Sequence, residues 1–442
     1  MRRYESYKDS GVDWLGEIPT HWECLPLRSI FKFRNEKNDP IKTDNILSLS
    51  IANGVTEYSD ENRGGNKRKD DLSSYKLAYP NDIVINSMNV IVGAVGVSKY
   101  FGAISPVYYA LSLYNQRANL SYYENIFKNE NFQRGLLRFG KGILIKFGEN
   151  GKMNTIRMKI SQDDFKKLYF PIPPLSEQQK IAQFLDDKTA KIDQAVDLAE
   201  KQIALLKEHK QILIQNAVTR GLNPDVPLKD SGVEWIGQVP EHWESFRFKR
   251  VVEKVKDGTH GTHSRTEQGY PLLSAKNIFN NGIQITDNES LISEYDFKLI
   301  TSNGFPRKND LLVTCVGSIG RCCIYPFDEP MAFQRSVAFL RLNKKAFPGF
   351  YRYFIESNCY QEQLKTNTKL SIQGGVYLGT LIDLYVCFPP LLEQQTITIY
   401  LDTQTAKIDQ AIALKTAHIE KLKEYKSVLI NDAVTGKVRV SV

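Results

Sequence analysis

Two imidazoles three residues apart, His260 and His263, lie in the glycine-rich stretch KVKDGTHGTHSRTEQG (254–269). H-x-x-H can offer two ligands to a zinc ion, but a zinc site needs three or four, and no further His or Cys stands nearby in the sequence. The loop suits a ligand-facing or turn-stabilising role better than a metal site. Residues 135–142, GLLRFGKG, come within one side chain of a phosphate-cradling loop. Gly142 occupies the place of the hydroxyl that would reach magnesium, so the stretch reads as a helix end with a flexible glycine pair. The two Pro-Pro pairs read IPPL and FPPL. They lack the Asn or Asp before and the aromatic after that let an amino-methylating enzyme grip a flipped base. Pro224-Asp225 has no acid-x-Lys triplet in the thirty residues that follow, as a nuclease cluster would require. Cys315, Cys322 and Cys323 cluster without Cys-x-x-Cys or Cys/His spacing and read as buried, reduced thiols. The expectation is a chain with no catalytic residue, no metal and no cofactor of its own.

Those stretches sit inside a sequence that is written twice. Residues 8–23, KDSGVDWLGEIPTHWE, recur as KDSGVEWIGQVPEHWE at 229–244, 221 residues on. From Pro173, PPLSEQQKIAQFLDDKTAKIDQAVDL recurs from Pro389 as PPLLEQQTITIYLDTQTAKIDQAIAL, 216 residues on, and the likeness runs to AVT at 217–219 and 433–435. Between the repeated frames lie two inserts that hardly resemble each other. The boundaries are 1–23 (first short frame), 24–170 (first insert), 171–244 (long frame and second short frame), 245–387 (second insert) and 388–442 (second long frame). Duplication followed by drift would erode frame and insert alike, so the contrast says that the frames share one job and the inserts do two.

The long frame predicts a helix. It has neither Pro nor Gly from Glu177 to about Ala217, a rod of about 60 Å. Leu185, Ile192, Ala199, Leu206 and Leu213 are spaced by seven, and Thr189, Val196, Ile203, Lys210 and Ala217 follow four later. The second copy repeats the seam as Leu401, Ile408, Lys415, Leu422 and Leu429, with Thr405, Ile412, Ile419, Lys426 and Ala433. Such a seam needs a partner helix. The other copy in the same chain, packed antiparallel, is the expected one; pairing between two chains is the alternative. Lys210, Lys415 and Lys426 either snorkel or mark where the coil opens to another subunit. The short frame is turn-rich, and its four tryptophans, Trp14, Trp22, Trp235 and Trp243, read as anchors to a neighbouring element, with a ligand cage as the alternative.

Each insert, about 145 residues long, alternates strand-like runs (NDIVINSM and VIVGAVGVSKY; NDLLVTCVGSIGRCCIYP) with turns, and helical stretches follow. In the loop NRGGNKRKDD (62–71), Lys67, Arg68 and Lys69 could meet phosphates, and Arg68 a guanine edge. The net charge of +8 is a mild excess that suits a polyanionic partner. No apolar run follows the N-terminal arginines and none is long enough to span a bilayer, so a cytoplasmic protein with no membrane partner is expected.

The frames DSGVxWxGxxPxHW and PPLxEQQ…TAKIDQA resemble those of type I restriction specificity subunits. DGTH (257–260), YPLLSAKNIF (270–279) and VGSIGR (316–321) are similar to motifs of that family's target recognition domains, although the family often has Pro where this chain has His263. NSMNVIVGAVGVSKYFGAISPVYYAL (86–111) resembles another branch of the same domains. The resemblance implies an α+β fold: two target recognition domains separated by two long antiparallel coiled-coil helices, in a pseudo-two-fold internal repeat. It implies that each insert reads one half of a split site in double-stranded DNA and that the frames bind two methyltransferase subunits. Those subunits and a separate restriction-translocase would supply catalysis, with S-adenosylmethionine, ATP and Mg on their side. The DNA-binding candidates are Lys67, Arg68, Lys69, Asn86, Lys256, Thr259, His260, Thr262, His263, Lys276, Asn277 and Arg321. A fused restriction enzyme and a scaffold that holds partners without reading DNA are the competing readings.

Overall fold

Pro174 starts the first long helix: its carbonyl accepts from the backbone N–H of Glu177 and Gln178 at 2.8 and 3.0 Å. The helix runs for 46 residues, Leu175–Arg220. Its repeat, Leu391–Val434, runs for 44. Each ends on a glycine in the left-handed region, Gly221 at φ +74° and Gly436 at φ +75°, where a side chain would be strained. The computed structural model describes residues 2–51, 53–59, 71–88, 93–114, 117–139, 146–147, 153–155, 159–302, 304–368 and 375–440. The chain forms two compact units, residues 1–199 with 417–442 (unit 1) and residues 200–416 (unit 2). These units cut across the boundaries expected from the repeats, because each takes one half of each long helix. Among the described residues no helix is long and apolar enough to cross a membrane.

Unit 1 opens its insert with strand β1 (Glu23–Pro26). A four-stranded antiparallel sheet follows, built from β2 (Phe31–Arg34), β3 (Ile83–Asn86), β4 (Val95–Val97) and β5 (Tyr108–Leu113) in the order β2-β5-β3-β4. Alternation along the strands divides its two faces. Ile83, Ile85, Val95, Tyr109 and Leu111 join the core formed with α1 (Leu120–Phe127), α2 (Glu130–Leu136) and the long helices. Val84 and Ala110 turn the other way, onto Leu47, Leu49, Val55 and Ile104. The insert closes with β6 (Tyr169–Ile172), which pairs antiparallel with β1 before leading into the long helix.

Unit 2 repeats the plan with different residues. Strand β7 (Glu244–Arg247) opens the insert. Strands β8 (Val252–Asp257), β9 (Leu311–Thr314), β10 (Cys322–Ile324) and β11 (Val337–Leu342) form the sheet in the order β8-β11-β9-β10. Leu311, Val313, Cys322, Ala338 and Leu340 face the core built with α4 (Pro348–Glu356), while Leu312, Cys323, Val337 and Phe339 face Leu273, Tyr325 and Phe333. A third helix, α3 (Glu294–Ser302), precedes β9. Strand β12 (Tyr385–Phe388) pairs with β7 and closes the insert.

One turn recurs inside both inserts. Asn81 and Asn309 have φ of +69° and +72°, a conformation Asn tolerates better than most residues. The acid that follows each is nearly buried. Asp82 takes a fork from Arg34 at 2.7 and 3.1 Å, and Asp310 one from Arg341 at 3.0 and 2.7 Å. The same carboxylate also accepts the backbone N–H of Tyr79 or Arg307.

The seam residues are all buried or half-buried. In unit 1, Leu185, Ile192 and Leu429 are buried in one core, and Val196 and Leu422 pack against it; Ile419 is also buried. In unit 2, Leu401 is buried with Leu213 packed beside it, and Ile203, Leu206, Ile408 and Ile412 are half-buried. The three seam lysines bond across to the facing helix. Lys426 reaches Asp193 at 2.7 Å in unit 1; in unit 2, Lys210 reaches Asp409 at 2.7 Å and Lys415 reaches Gln202 at 2.6 Å. In unit 2, moving from 202 to 210 on one helix moves from 415 to 409 on the other, so the halves run antiparallel. Asp193 and Asp409 are repeats of one another, as are Lys210 and Lys426, so each unit holds one copy of the same cross-helix pair.

Candidate nucleic-acid interface

Each unit has its own copy of a joint where the frames meet. Trp22 is fully buried. Its indole N–H donates to Glu177 Oε2 at 3.0 Å, and the same carboxylate takes the Tyr4 hydroxyl at 3.0 Å and His21 Nε2 at 2.7 Å. In unit 2 Trp243 donates to Glu393 at 3.0 Å and His242 lies 2.9 Å from it. The next residue of each helix closes the loop behind it. Gln178 donates to the carbonyls of Pro173 and Arg117 and accepts from Asn119 N–H at 2.8 Å; Gln394 does the same with Pro389, Lys345 and Phe347. Both glutamines are fully buried and fully bonded. Burial alone would raise the Glu177 carboxyl, but the hydrogen bonds from Trp22, His21 and Tyr4 outweigh it and hold the group below the usual carboxylate range. Trp14 and Trp235 differ from the other two. Trp14 lies edge-on to Phe132 at 5.1 Å and is only partly covered, and Trp235 is 41% exposed.

In unit 2 the DGTH stretch leaves β8 as a projecting loop. Gly258 is required at its root, because a Cβ there would fall 2.0 Å from the Phe333 carbonyl oxygen. Thr259 is half-buried and His260, Gly261, Thr262, Ser264 and Arg265 are exposed. His260 Nε2 lies 2.7 Å from Asp257. His263 turns inward, its side chain 8% exposed, with Nδ1 3.0 Å from Asp296 of α3 and Nε2 2.8 Å from Thr259 Oγ1. The bond to His263 holds the Asp296 carboxyl below its ordinary range. Beneath the loop lies a cavity of about 480 Å³ walled by Leu299, Phe305, Leu312, Phe333 and Phe339.

The other sequence candidates separate into several places. Lys256 is half-buried on β8 beside Gly304. Lys276 is exposed and paired with Glu289 at 2.8 Å. Arg321 lies over the Phe279 ring at 5.0 Å and lines a different cleft, of about 740 Å³, with Lys210, Arg352, Asp402 and Asp409. Three candidates need correction. Asn277 is 2% exposed, with its amide spent on Ser274, Gln284 and Glu289; Asn86 is 9% exposed and accepts from Met88 N–H. Asn277 and His263 support the surface from within, since their polar atoms are already bonded inside the unit, and Asn86 is buried with its side-chain oxygen bonded locally. Lys67, Arg68 and Lys69 lie outside the described residues. Among the described residues, no group of three His, Cys, Asp or Glu is placed to hold a metal.

Sequence reasoning missed the roles of Glu177, Gln178, Glu393 and Gln394, although EQQ in both copies at the start of an amphipathic helix was a visible signal. It also missed Asp296, which no motif marks.

This architecture, one frame twice around two unlike inserts, was compared with known proteins. The family model described as the type I restriction modification DNA specificity domain matches residues 19–207 and again 240–424. The chain belongs to that family. It is 23% identical to the type I restriction enzyme MjaVIII specificity subunit of Methanocaldococcus jannaschii, over 96% of this chain and 94% of that one. It is 24% identical to the EcoBI specificity subunit of Escherichia coli, over 92% of this chain and 85% of that one. A chain solved in work on complex assembly and conformational transition of the type I R-M system superposes with a TM-score of 0.71. It is 13% identical, over 95% of this chain and 99% of that one, and shares the fold. The protein is a DNA sequence-specificity subunit with two recognition domains.

Proposed function

We propose that the two inserts read unlike halves of one bipartite DNA site, and that the frames hold two methyltransferase subunits. The observation that carries this reading is the repeated sheet plan, β2-β5-β3-β4 and β8-β11-β9-β10, closed at its base by the same strand pair (β1 with β6, β7 with β12) yet bearing different loops. Two scaffolds alike in frame and unlike in loops suit two different targets presented to identical partners. Phosphate contacts would position each unit and loop side chains would meet base edges. Among the sequence candidates, the exposed His260, Thr262 and Lys276, with the half-buried Lys256 and Thr259, are the ones proposed to face DNA. Catalysis belongs to the partners: methyl transfer with S-adenosylmethionine by the methyltransferase subunits, and translocation and cleavage with ATP and Mg by a restriction subunit. The test is a graft. Replacing residues 24–170 with the insert of a relative, in the chain assembled with its methyltransferase, should change one half-site in the methylome and leave the other. A change in both halves would overturn the modular reading; no sequence preference in the unmodified assembly would favour a scaffold that does not read DNA.

A further inference from the structure

We propose that residues 260–265 form a base-reading finger in which Arg265 contacts DNA and His263 is the positioning residue that aims it. This rests on the reading of unit 2 as the domain for one half-site. The finger is tied firmly at both roots. At the first, Gly258 N–H donates to Val337 O at 3.0 Å, Thr259 N–H to Phe333 O at 2.8 Å, and Arg335 N–H to Thr259 O at 3.0 Å. At the second, Thr266 N–H donates to Leu291 O at 3.1 Å, and Gly269 passes so close to Ile292 that a Cβ would fall 2.1 Å from its carbonyl oxygen.

Between the roots, among the described residues, the finger is tied to other elements by the bond from His260 to Asp257 at the end of β8 and by the bond from His263 to Asp296 of α3. The side chains on either side of His263 point to solvent, and a cavity rather than packed core lies below. Packing therefore cannot fix the finger's aim, and hydrogen bonds must: His260 holds the first root, and the two bonds of His263 hold the stretch that leads to Arg265. They suit a neutral imidazole: Nδ1–H donates to Asp296, Nε2 accepts from the Thr259 hydroxyl, and that hydroxyl oxygen accepts from Gly261 N–H at 3.1 Å. Arg265 is exposed and has no hydrogen-bond or ion-pair partner among the described residues, so its planar fork is available for a guanine edge.

The test uses the full chain assembled with its methyltransferase subunits and duplex libraries randomised in one half-site at a time, with methylation as the readout. Arg265→Ala, His263→Ala and Asp296→Ala should each lower base discrimination in the half-site read by unit 2 by roughly tenfold or more. Discrimination in the other half-site should stay at the wild-type level. Asp296→Asn keeps an oxygen that accepts from Nδ1–H and should retain discrimination, which a merely structural role for the acid's charge would not predict. Should His263→Ala fail to fold, the Asp296 pair of variants decides. Unchanged discrimination in Arg265→Ala, equal loss in Asp296→Ala and Asp296→Asn, or relaxation of both half-sites together would overturn the proposal. Uniform weakening by Arg265→Ala on every sequence would also do so, since that marks a phosphate contact. A graft of residues 245–387 that leaves both half-sites unchanged would instead defeat the underlying reading of unit 2.

Discussion

Trp22 and Glu177, 155 residues apart, share a hydrogen bond of 3.0 Å, and their repeats Trp243 and Glu393, 150 residues apart, share one of the same length. Inserts of different length and sequence thus return the chain to the same contact. The joint works because a buried indole N–H needs an acceptor and the first turn of a helix favours an acid.

Glu177→Ala should destabilise unit 1 by about 2 kcal/mol, the scale for leaving a buried donor without its charged partner. Urea denaturation measures it. Glu177→Gln keeps one acceptor oxygen and should cost less. Because the folded carboxyl is held below its ordinary range, its contribution is fully present above the unfolded pKa and is lost as pH falls through the lower folded value. The wild-type midpoint should therefore fall with acidification below about pH 4. Glu177→Gln should show a shallower fall, and parallel curves for the two proteins would count against this role.

Asp310→Ala removes one partner of a nearly buried fork and leaves the Arg341 guanidinium and the Arg307 N–H without an acceptor. A loss of about 3 kcal/mol is expected. Asp82→Ala should behave alike in unit 1. Replacing Asn309 with Val, which resists positive φ, should cost about 1–2 kcal/mol through backbone strain alone. Thermal melts of the three variants compare these effects directly.

The long helices contribute to both units, and their length is proposed to set the spacer between half-sites. Four residues added after Ala190 lengthen the first helix by about 6 Å, close to two base pairs. Asp193 is bonded to Lys426, so an insertion in one helix alone would break register; a matched four-residue insertion after Leu429 preserves it. The doubly extended chain should methylate the same half-sites with a spacer one or two base pairs longer. An unchanged spacer in an active protein would show that the helices do not set the distance.

Burial pushes the thiols of Cys315 and Cys323 up to about 12 and that of Cys359 to about 11, while Cys24 is only half-buried. Alkylation of the native protein at neutral pH should label Cys24 first. The other five should react only after unfolding, and mass spectrometry of partially labelled protein decides the order.

The frame was legible because repetition exposes it: the heptad seam, the Pro-Pro helix starts and the paired tryptophans are all visible in one chain. The apolar runs in NDIVIN and NDLLVT likewise announced the central strands. What stayed hidden depends on contacts that are distant in sequence. The acid before each strand is repeated, but its arginine comes from β2 in one unit and from β11 in the other, so no spacing reveals the pair. Asn277 and His263 look like loop polar residues until the carboxylates of Glu289 and Asp296 arrive from segments with no motif. Lys210, Lys415 and Lys426 looked like breaks in the seam because their partners, Asp409, Gln202 and Asp193, lie on the facing helix.

Gly221 rests against Trp243 and runs on, within the same backbone, into the segment that carries that tryptophan. Gly436 rests against Trp22 in the same way, but there the two partners lie far apart in the sequence, and Arg439 N–H donates to Arg2 O at 2.7 Å beside them. One joint is stitched by peptide bonds and its twin is only clasped. Covalent continuity is therefore not what holds either of them; the contacts of indole, carboxylate and glycine are common to both.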